Sequence, residues 1–553
     1  MDKQQLFKGG QSKAASDGRK IKFASFAAVL GVAILLSVPV FVNYCLEGEE
    51  LYFHLLRIEG LKDGLLSGQF PVRIQPNWLE GRGYPVSLFE GDVFLLIPAF
   101  LRMAGLSVQM SYHIFLLLIN LATVWIGYVC FRGLFDGQEV RLCKSRGTED
   151  EALTMSLPAG WLQGMIAAML YACSPYRIYV MYGKADLGEL LAMTFLPMVF
   201  CGMIRILTVE ADEKLYRSVW LMPAVGLCAM FFSHITAFEL ALLLCALLCL
   251  AMGKAAFAKK RLLTYLKIFL ATVVGCAWMF IPLLDALLQK PYIRYAGSKA
   301  IQSTGAYLLD YFILFAQAGT ETDRSVSGMQ NAVPAGAGFM VMVLLIIYFW
   351  ILFTGRYRKE RQNSGLWRTA LRVTIAGVIL LWMSTVSFPW DIIRHNRLIQ
   401  ILTAGLNSPM ELVPFVSVCL VFTGIVALNE IQQSEKREVS LWVLAGVVVL
   451  AVVSTQYLTN DYLETRLPVY IYNSSDLDTN AILDGVYLPL DESTGGPSYE
   501  ENLADRLNTA AWYWRLSEAV STTGWIGMAA YSVTISRKKL QEEEENVEEI
   551  GNP

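Results

Sequence analysis

Charge is scarce in this chain: 17% of its 553 residues are Asp, Glu, Lys or Arg, against 55% hydrophobic residues. Soluble domains carry roughly a quarter of charged residues, so a water-facing globule is excluded and an integral membrane protein is indicated. Histidine is scarcer still, with four copies. Ten cysteines are present, mostly inside apolar runs (Cys130, Cys201, Cys228, Cys245, Cys249, Cys276, Cys419), and the long polar segments expected on the outer side have none. That distribution argues against a disulfide framework or a paired-cysteine metal site and leaves the thiols as small hydrophobes. No internal repeat is visible, which weighs against a transporter built from inverted halves. The basic clusters are short and abut apolar runs, so no nucleic acid is expected as a partner.

What the chain has is long apolar runs, and a mean hydropathy of +0.44. The first, 23–45, follows a basic start (Lys3, Lys8, Lys13, Arg19, Lys20, Lys22) and ends in Phe41-Val42-Asn43-Tyr44-Cys45, without a small-residue cleavage site. It reads as an uncleaved anchor. Further spans are expected at 110–131, 159–174, 187–207, 218–233, 235–252, 264–287, 336–354, 370–388, 411–428, 441–457 and 519–536. About twelve spans put both termini on one side. The basic clusters Lys254/Lys259/Lys260/Arg261, Arg356/Arg358/Lys359/Arg361, Lys436/Arg437 and Arg537/Lys538/Lys539 all fall on that side, which the positive-inside rule makes cytoplasmic.

The expected fold class is therefore all-α and integral to the membrane. A cytoplasmic tail, 1–22, precedes a transmembrane domain, 23–457, whose first outer loop is 46–109. An acidic outer loop or small cap, 458–518, a last span, 519–536, and a cytoplasmic tail, 537–553, complete the chain. The stretch 93–101 is short for a span and contains Pro98, so it is expected as a helix in the membrane interface. The Glu-rich end of the tail reads as a solvated, irregular terminus.

Two polar clusters at the outer mouth carry the chemistry. In the first, Glu50, His54 and Arg57 fall at i, i+4 and i+7 and share a helical face, with Leu51, Leu55, Ile58, Leu61 and Leu65 on another. An amphipathic helix lying on the membrane is expected there, its ionisable face toward a cavity. Two neighbouring carboxylates, Glu49 and Glu50, disfavour joint ionisation, which keeps one fit to take a proton. Arg57 is suited to gripping a phosphate oxygen. The bland reading, a solvated face at a helix start, carries about half the weight on spacing alone. The second cluster runs from Tyr176-Arg177 through Lys184, Asp186 and Glu189. Acids at a helix start are ordinary dipole partners, but Glu189 falls at the membrane edge, where an acid is costly. Arg177, Lys184, Asp186 and Glu189 join His54 and Arg57 as candidate substrate-binding residues, with Glu49 and Glu50 as candidate catalytic ones. No His/Glu pair has tight metal-ligand spacing; a divalent cation is compatible with the residues and not required by them.

The run Glu49-Glu50-x-x-x-His54-x-x-Arg57-Ile58 followed by Gly68-Gln69-Phe70-Pro71-Val72-Arg73-Ile74 carries a family resemblance. With Tyr84-Pro85, Leu88-Phe89, Ser174-Pro175-Tyr176-Arg177, Gly188-Glu189, Phe388-Pro389-Trp390 and Tyr487-Leu488-Pro489, it resembles bacterial multi-pass proteins labelled "6-pyruvoyl-tetrahydropterin synthase-related domain". These are in turn similar to membrane glycosyltransferases of the GT-C fold; nothing here points to pterin chemistry. The resemblance implies a sugar donor on a polyprenyl phosphate in the membrane and a cell-envelope glycan or protein as acceptor. It also implies an acidic base in the first outer loop and residence in the bacterial cytoplasmic membrane. Where the resembling proteins carry Asp-Asp before the histidine, this chain has Glu49-Glu50, which keeps the charge and moves the carboxylate by about one methylene. The alternatives are a transporter or flippase of a lipid-linked substrate, with Glu189, Glu239 and Asp285 along a path, and a non-catalytic membrane scaffold of the same fold.

Overall fold

The computed structural model describes residues 22–135, 139–142, 155–209, 214–289, 300–318, 334–354, 365–403, 405–433, 437–479, 487–490 and 512–551. Helices dominate: α1 (Lys22–Leu36), α2 (Leu51–Leu66), α3 (Leu96–Met103), α4 (Val108–Phe135), α5 (Ala159–Ala172), α6 (Pro175–Tyr179), α7 (Leu187–Thr208) and α8 (Leu221–Phe231) lie in the first half. Then follow α9 (Ile235–Met252), α10 (Lys259–Gln289), α11 (Phe339–Thr354), α12 (Gly365–Met383), α13 (Val413–Gln433), α14 (Arg437–Thr465) and α15 (Trp512–Gly551). Two short antiparallel ladders accompany them, β1 (Cys45–Leu46) with β4 (Pro468–Val469), and β2 (Glu139–Leu142) with β3 (Met155–Pro158).

Among the described residues, seven helices are long and apolar enough to cross a membrane: α4, α7, α9, α10, α12, α13 and α14. The apolar window containing α13 is 100% buried, which makes it the centre of the bundle. It packs against α11 and α12 on one side and α5 and α7 on another. A helix hydrophobic all round suits such a place.

Seven of the expected spans fall on these helices, and the other five fall on shorter apolar helices or, for 519–536, on a less apolar one. The run at 23–45 stops as helix at Leu36, because Pro39 lacks the N–H that would continue it; a 3-10 turn, Val38–Phe41, and β1 follow. Helices α5, α8 and α11 have 14, 11 and 16 residues, and an 11-residue helix rises only about 16 Å. The span placed at 519–536 is part of the 40-residue α15, whose Ser517, Ser521, Thr522 and Thr523 keep it below the apolarity of the others. The acidic end, expected to be irregular, continues α15 to Gly551, as a run of good helix formers permits. The loop carrying Arg356 to Arg361, and 480–486 and 491–511 of the acidic segment, lie outside the described residues.

Residues 93–101 contribute to α3, eight residues long and too short to cross. Pro98 sits in its first turn, where a missing N–H costs nothing. Helix α2 departs from expectation. Its polar face is enclosed by protein: eleven of its sixteen residues are buried, His54 and Arg57 among them. The cover is an aromatic floor from distant segments. Trp78 stacks on Tyr84 at 5.1 Å, and Tyr487 stacks on Phe89 at 5.6 Å and on Phe53 of α2 at 6.2 Å. The Tyr487 hydroxyl donates to Glu90 at 2.6 Å. Polar clamps finish the layer. Glu59 of α2 accepts from Lys62 at 2.5 Å and from Arg102 of α3. Arg73 pairs with Glu518 of α15 at 2.9 Å between the rings of Trp278 and Trp514.

Gly91 touches the backbone of α8's exit, and a Cβ there would overlap the Phe232 carbonyl. Overpacking of this kind costs about 1–3 kcal/mol. Gly91→Ala is expected to lower the melting temperature of the detergent-purified protein; an unchanged melting curve would show that this contact yields freely.

Candidate functional site

Two segments remote in sequence meet at one end of the bundle. The Glu49 N–H donates to the Gly183 carbonyl at 3.1 Å, and the Glu50 N–H to the Lys184 carbonyl at 2.8 Å. The approach requires glycine at 48, since a Cβ would stand 2.5 Å from that of Ala185. On the other segment Val180–Lys184 forms a π-helical turn, and Ala185 adopts a left-handed conformation with φ 57°. Both features store strain and concentrate at functional sites. Here they turn Lys184 back over the start of α7, where Asp186 caps the helix by accepting from the Glu189 N–H at 3.0 Å.

Five ionisable side chains converge in the resulting pocket. The Lys184 ammonium donates to Asp186 Oδ2 at 2.7 Å and Glu189 Oε2 at 2.9 Å, and stands 3.8 Å from Glu50 Oε1. The Tyr176 hydroxyl donates to Glu189 Oε1 at 2.8 Å. His54 Nε2 lies 3.5 Å from Glu50 Oε2 and 3.4 Å from Asp186 Oδ1. Asp186 and Glu189 are almost wholly enclosed, whereas the Glu50 side chain is 24% exposed. Glu49 points away from Glu50 and accepts from the Tyr179 hydroxyl at 3.2 Å. Glu50, His54, Lys184, Asp186 and Glu189 are thus brought together, with Glu49 on the rim.

The two arginines sit elsewhere. Arg57 is 1% exposed and bonds Asp92 Oδ1 at 2.6 Å and the Gly91 carbonyl at 3.0 Å, so the phosphate grip expected of it is not available in this arrangement. Its third partner is His54, whose Nδ1 it faces at 3.4 Å. Arg177 reaches away to α4, bonding Asn120 at 2.8 Å and Thr123 at 3.0 Å. Asn120 in turn donates to Ser37 at the end of α1, so Arg177 ties helices together rather than lining the pocket.

Three contributors were not singled out from sequence. His234 caps α9, its Nδ1 accepting from the Ala237 N–H. Tyr176 belongs to a motif quoted above without a role. Glu411, beside Pro409, reads as helix punctuation in sequence. Glu189, His234 and Glu411 line a void of about 10 Å³, the space of about one water. Among the described residues Glu411 Oε2 meets no hydrogen-bond donor there. Across the α8–α9 turn lies a slot of about 400 Å³, lined by apolar side chains including Leu227, Phe231, Phe238, Cys249 and Phe280.

Burial pulls His54 toward its neutral form, but the neighbouring carboxylates of Asp186 and Glu50 outweigh that and hold it above the usual histidine value. Burial likewise opposes the Lys184 charge, and Asp186 and Glu189 overcome it, holding the ammonium well above its ordinary range. Asp186 shows the converse: burial favours the acid, yet Lys184 and His54 keep its carboxyl well below the usual range.

Glu50, His54 and Asp186 each offer a ligand atom within 4.8 Å of the others, which raises the question of a divalent cation. The donor set does not fit one. A metal-bound imidazole donates its other N–H to an acceptor, but His54 Nδ1 faces a guanidinium, which only donates. At the other nitrogen the Leu187 N–H, 3.2 Å from Nε2, competes for the lone pair that a metal would need. Asp186 is already held by an ammonium.

Structures similar to this one come from Archaeoglobus fulgidus. Its oligosaccharyltransferase in the apo form aligns at 13% identity and a TM-score of 0.41, covering 78% of this chain and 56% of that one. The archaeal oligosaccharyltransferase AglB with an inhibitory peptide and a dolichol-phosphate aligns at 12% identity and a TM-score of 0.39, covering 81% and 56%. The chain spans little more than half the length of these structures. No family model and no curated protein sequence matches it.

Because the folded value of His54 is raised above its ordinary 6.5, its contribution to stability is complete below that pH and is lost as pH rises through the folded value. His54→Gln should therefore lower the melting temperature more at pH 6 than at pH 9. Equal losses at both would mean that the imidazole is not charged in the folded protein.

Proposed function

We propose that the chain is a membrane glycosyltransferase of the GT-C kind, moving a sugar from a polyprenyl-phosphate donor to a cell-envelope acceptor at the outer face of the bacterial cytoplasmic membrane. Both termini would then be cytoplasmic. The observation that carries the reading is the state of Glu50. It is the partly exposed carboxylate of the pocket, and its neighbours at 3.5 and 3.8 Å are beyond hydrogen-bond length. It is the acid with lone pairs to spare for an incoming proton.

In the reaction Glu50 takes the proton of an acceptor hydroxyl, the hydroxyl oxygen bonds to the anomeric carbon, and the bond from that carbon to the phosphate oxygen breaks. The electron pair leaves with the polyprenyl phosphate. Lys184, whose side chain is 16% exposed, is the cation positioned to meet the growing phosphate charge, which is where preorganised charge is worth most. Asp186 and Glu189 orient the ammonium, and Glu49 on the rim contributes to the acceptor side. The apolar slot beyond the α8–α9 turn has the volume of a ligand pocket and suits a hydrocarbon chain. Of the residues a transport path would use, Glu239 is exposed and Asp285 accepts from Trp514 at 2.9 Å.

The test is incubation of reconstituted protein with polyprenyl-phosphate sugars and an envelope extract. General-base removal costs about 10²- to 10⁴-fold in rate, so Glu49→Gln with Glu50→Gln should reduce transfer to background while the protein still inserts. Undiminished transfer by that variant would sink the mechanism. Donor movement across the vesicle without bond cleavage would favour a flippase, and neither outcome a scaffold.

A further inference from the structure

We propose that Lys184 is the resident cation of this pocket, a tethered ammonium standing where the same carboxylates would otherwise hold a divalent metal. Its Nζ is surrounded by Asp186 Oδ2 at 2.7 Å, Glu189 Oε2 at 2.9 Å and Glu50 Oε1 at 3.8 Å. Two of these oxygens are in ion-pair contact with the ammonium, and Asp186 and Glu50 also belong, with His54, to a group whose ligand atoms lie within 4.8 Å of one another. The ammonium occupies the carboxylate side of that group. It is held there by covalent geometry: the π-helical turn and the left-handed Ala185 aim the Lys184 side chain back into the acids that follow it. The second potential centre, at His54, is closed by the guanidinium of Arg57 on one ring nitrogen and by the Leu187 N–H or a proton on the other.

The chemical consequence is that charge stabilisation in the pocket comes from a residue rather than from a dissociable ion. An ammonium is a point charge with three donors; two are engaged by Asp186 and Glu189, and the third is directed toward Glu50 and the opening. Its part in steadying a leaving phosphate rests on the transferase reading above. Its exclusion of metal does not.

Titration of the purified full-length protein with Mn²⁺, followed by electron paramagnetic resonance, separates the two. The wild-type chain is expected to leave the free Mn²⁺ signal undiminished at equimolar ratio, and Lys184→Arg to behave the same way. Lys184→Ala, which removes the ammonium and leaves the oxygens, is expected to take up one Mn²⁺ per chain, and Lys184→Ala with Glu189→Gln to lose it. One bound Mn²⁺ per wild-type chain, released by Glu50→Gln or His54→Gln, would overturn the proposal. A folded Lys184→Ala protein that binds none would overturn it too. If that variant does not fold, the wild-type titration alone decides. A failed transfer assay leaves the titration result unaffected.

Discussion

The structure around the pocket depends on one ammonium held among carboxylates. Removing one partner of a buried ion pair leaves the other charge stranded, at about 3–5 kcal/mol, and Lys184 has two close partners, Asp186 and Glu189. Everything else at this end of the bundle serves that arrangement. Gly48 lets the Glu47–Glu50 segment approach Ala185. The two backbone hydrogen bonds to Gly183 and Lys184 fix the register. Tyr176 satisfies the remaining oxygen of Glu189, so that acid, costly at a membrane edge, is fully bonded.

A second constraint operates behind the first. His54 belongs both to the pocket and to the interior of α2, and its two nitrogens report to different partners: Asp186 and Glu50 on one side, Arg57 on the other. Arg57 is itself fixed by Asp92 and the Gly91 carbonyl, and Gly91 packs on the Phe232 backbone at the end of α8. A chain of packed contacts therefore runs from the α8–α9 turn, through Arg57, to the histidine beside Glu50.

Hydropathy made most of the membrane-crossing helices readable, because a buried α13 and a lipid-facing α10 are both long apolar runs. It failed where polarity and geometry pull apart. The first run is apolar through Cys45 but loses its helix after Leu36, at Ser37-Val38-Pro39. Helix α2 has one apolar and one polar face in the i, i+4, i+7 sense, and that pattern does place Glu50, His54 and Arg57 along one line. It cannot reveal that the polar face is covered, since the cover comes from Asp92, Trp78 and Tyr487, up to several hundred residues away. Glu411 illustrates the same limit. A lone acid after Ser-Pro-Met looks like helix punctuation until α13 is seen to bring it against Glu189.

The division of labour among the acids follows from how tightly each is held. A carboxylate that accepts a short hydrogen bond from an ammonium and another from a backbone N–H, as Asp186 does, has its charged form stabilised and is a poor proton acceptor. Glu189 accepts from both Lys184 and Tyr176. Glu411 is acceptor-rich but enclosed beside a void of one water, out of reach of a bulky acceptor substrate. Glu50 combines exposure with loose contacts, and the extra methylene of Glu over Asp gives its carboxylate the reach to stand between His54 and Lys184 while clamped by neither. On that argument the glutamate at this position is a working feature of a pocket that already contains its own cation, because a shorter side chain would not extend as far toward Lys184 and the opening.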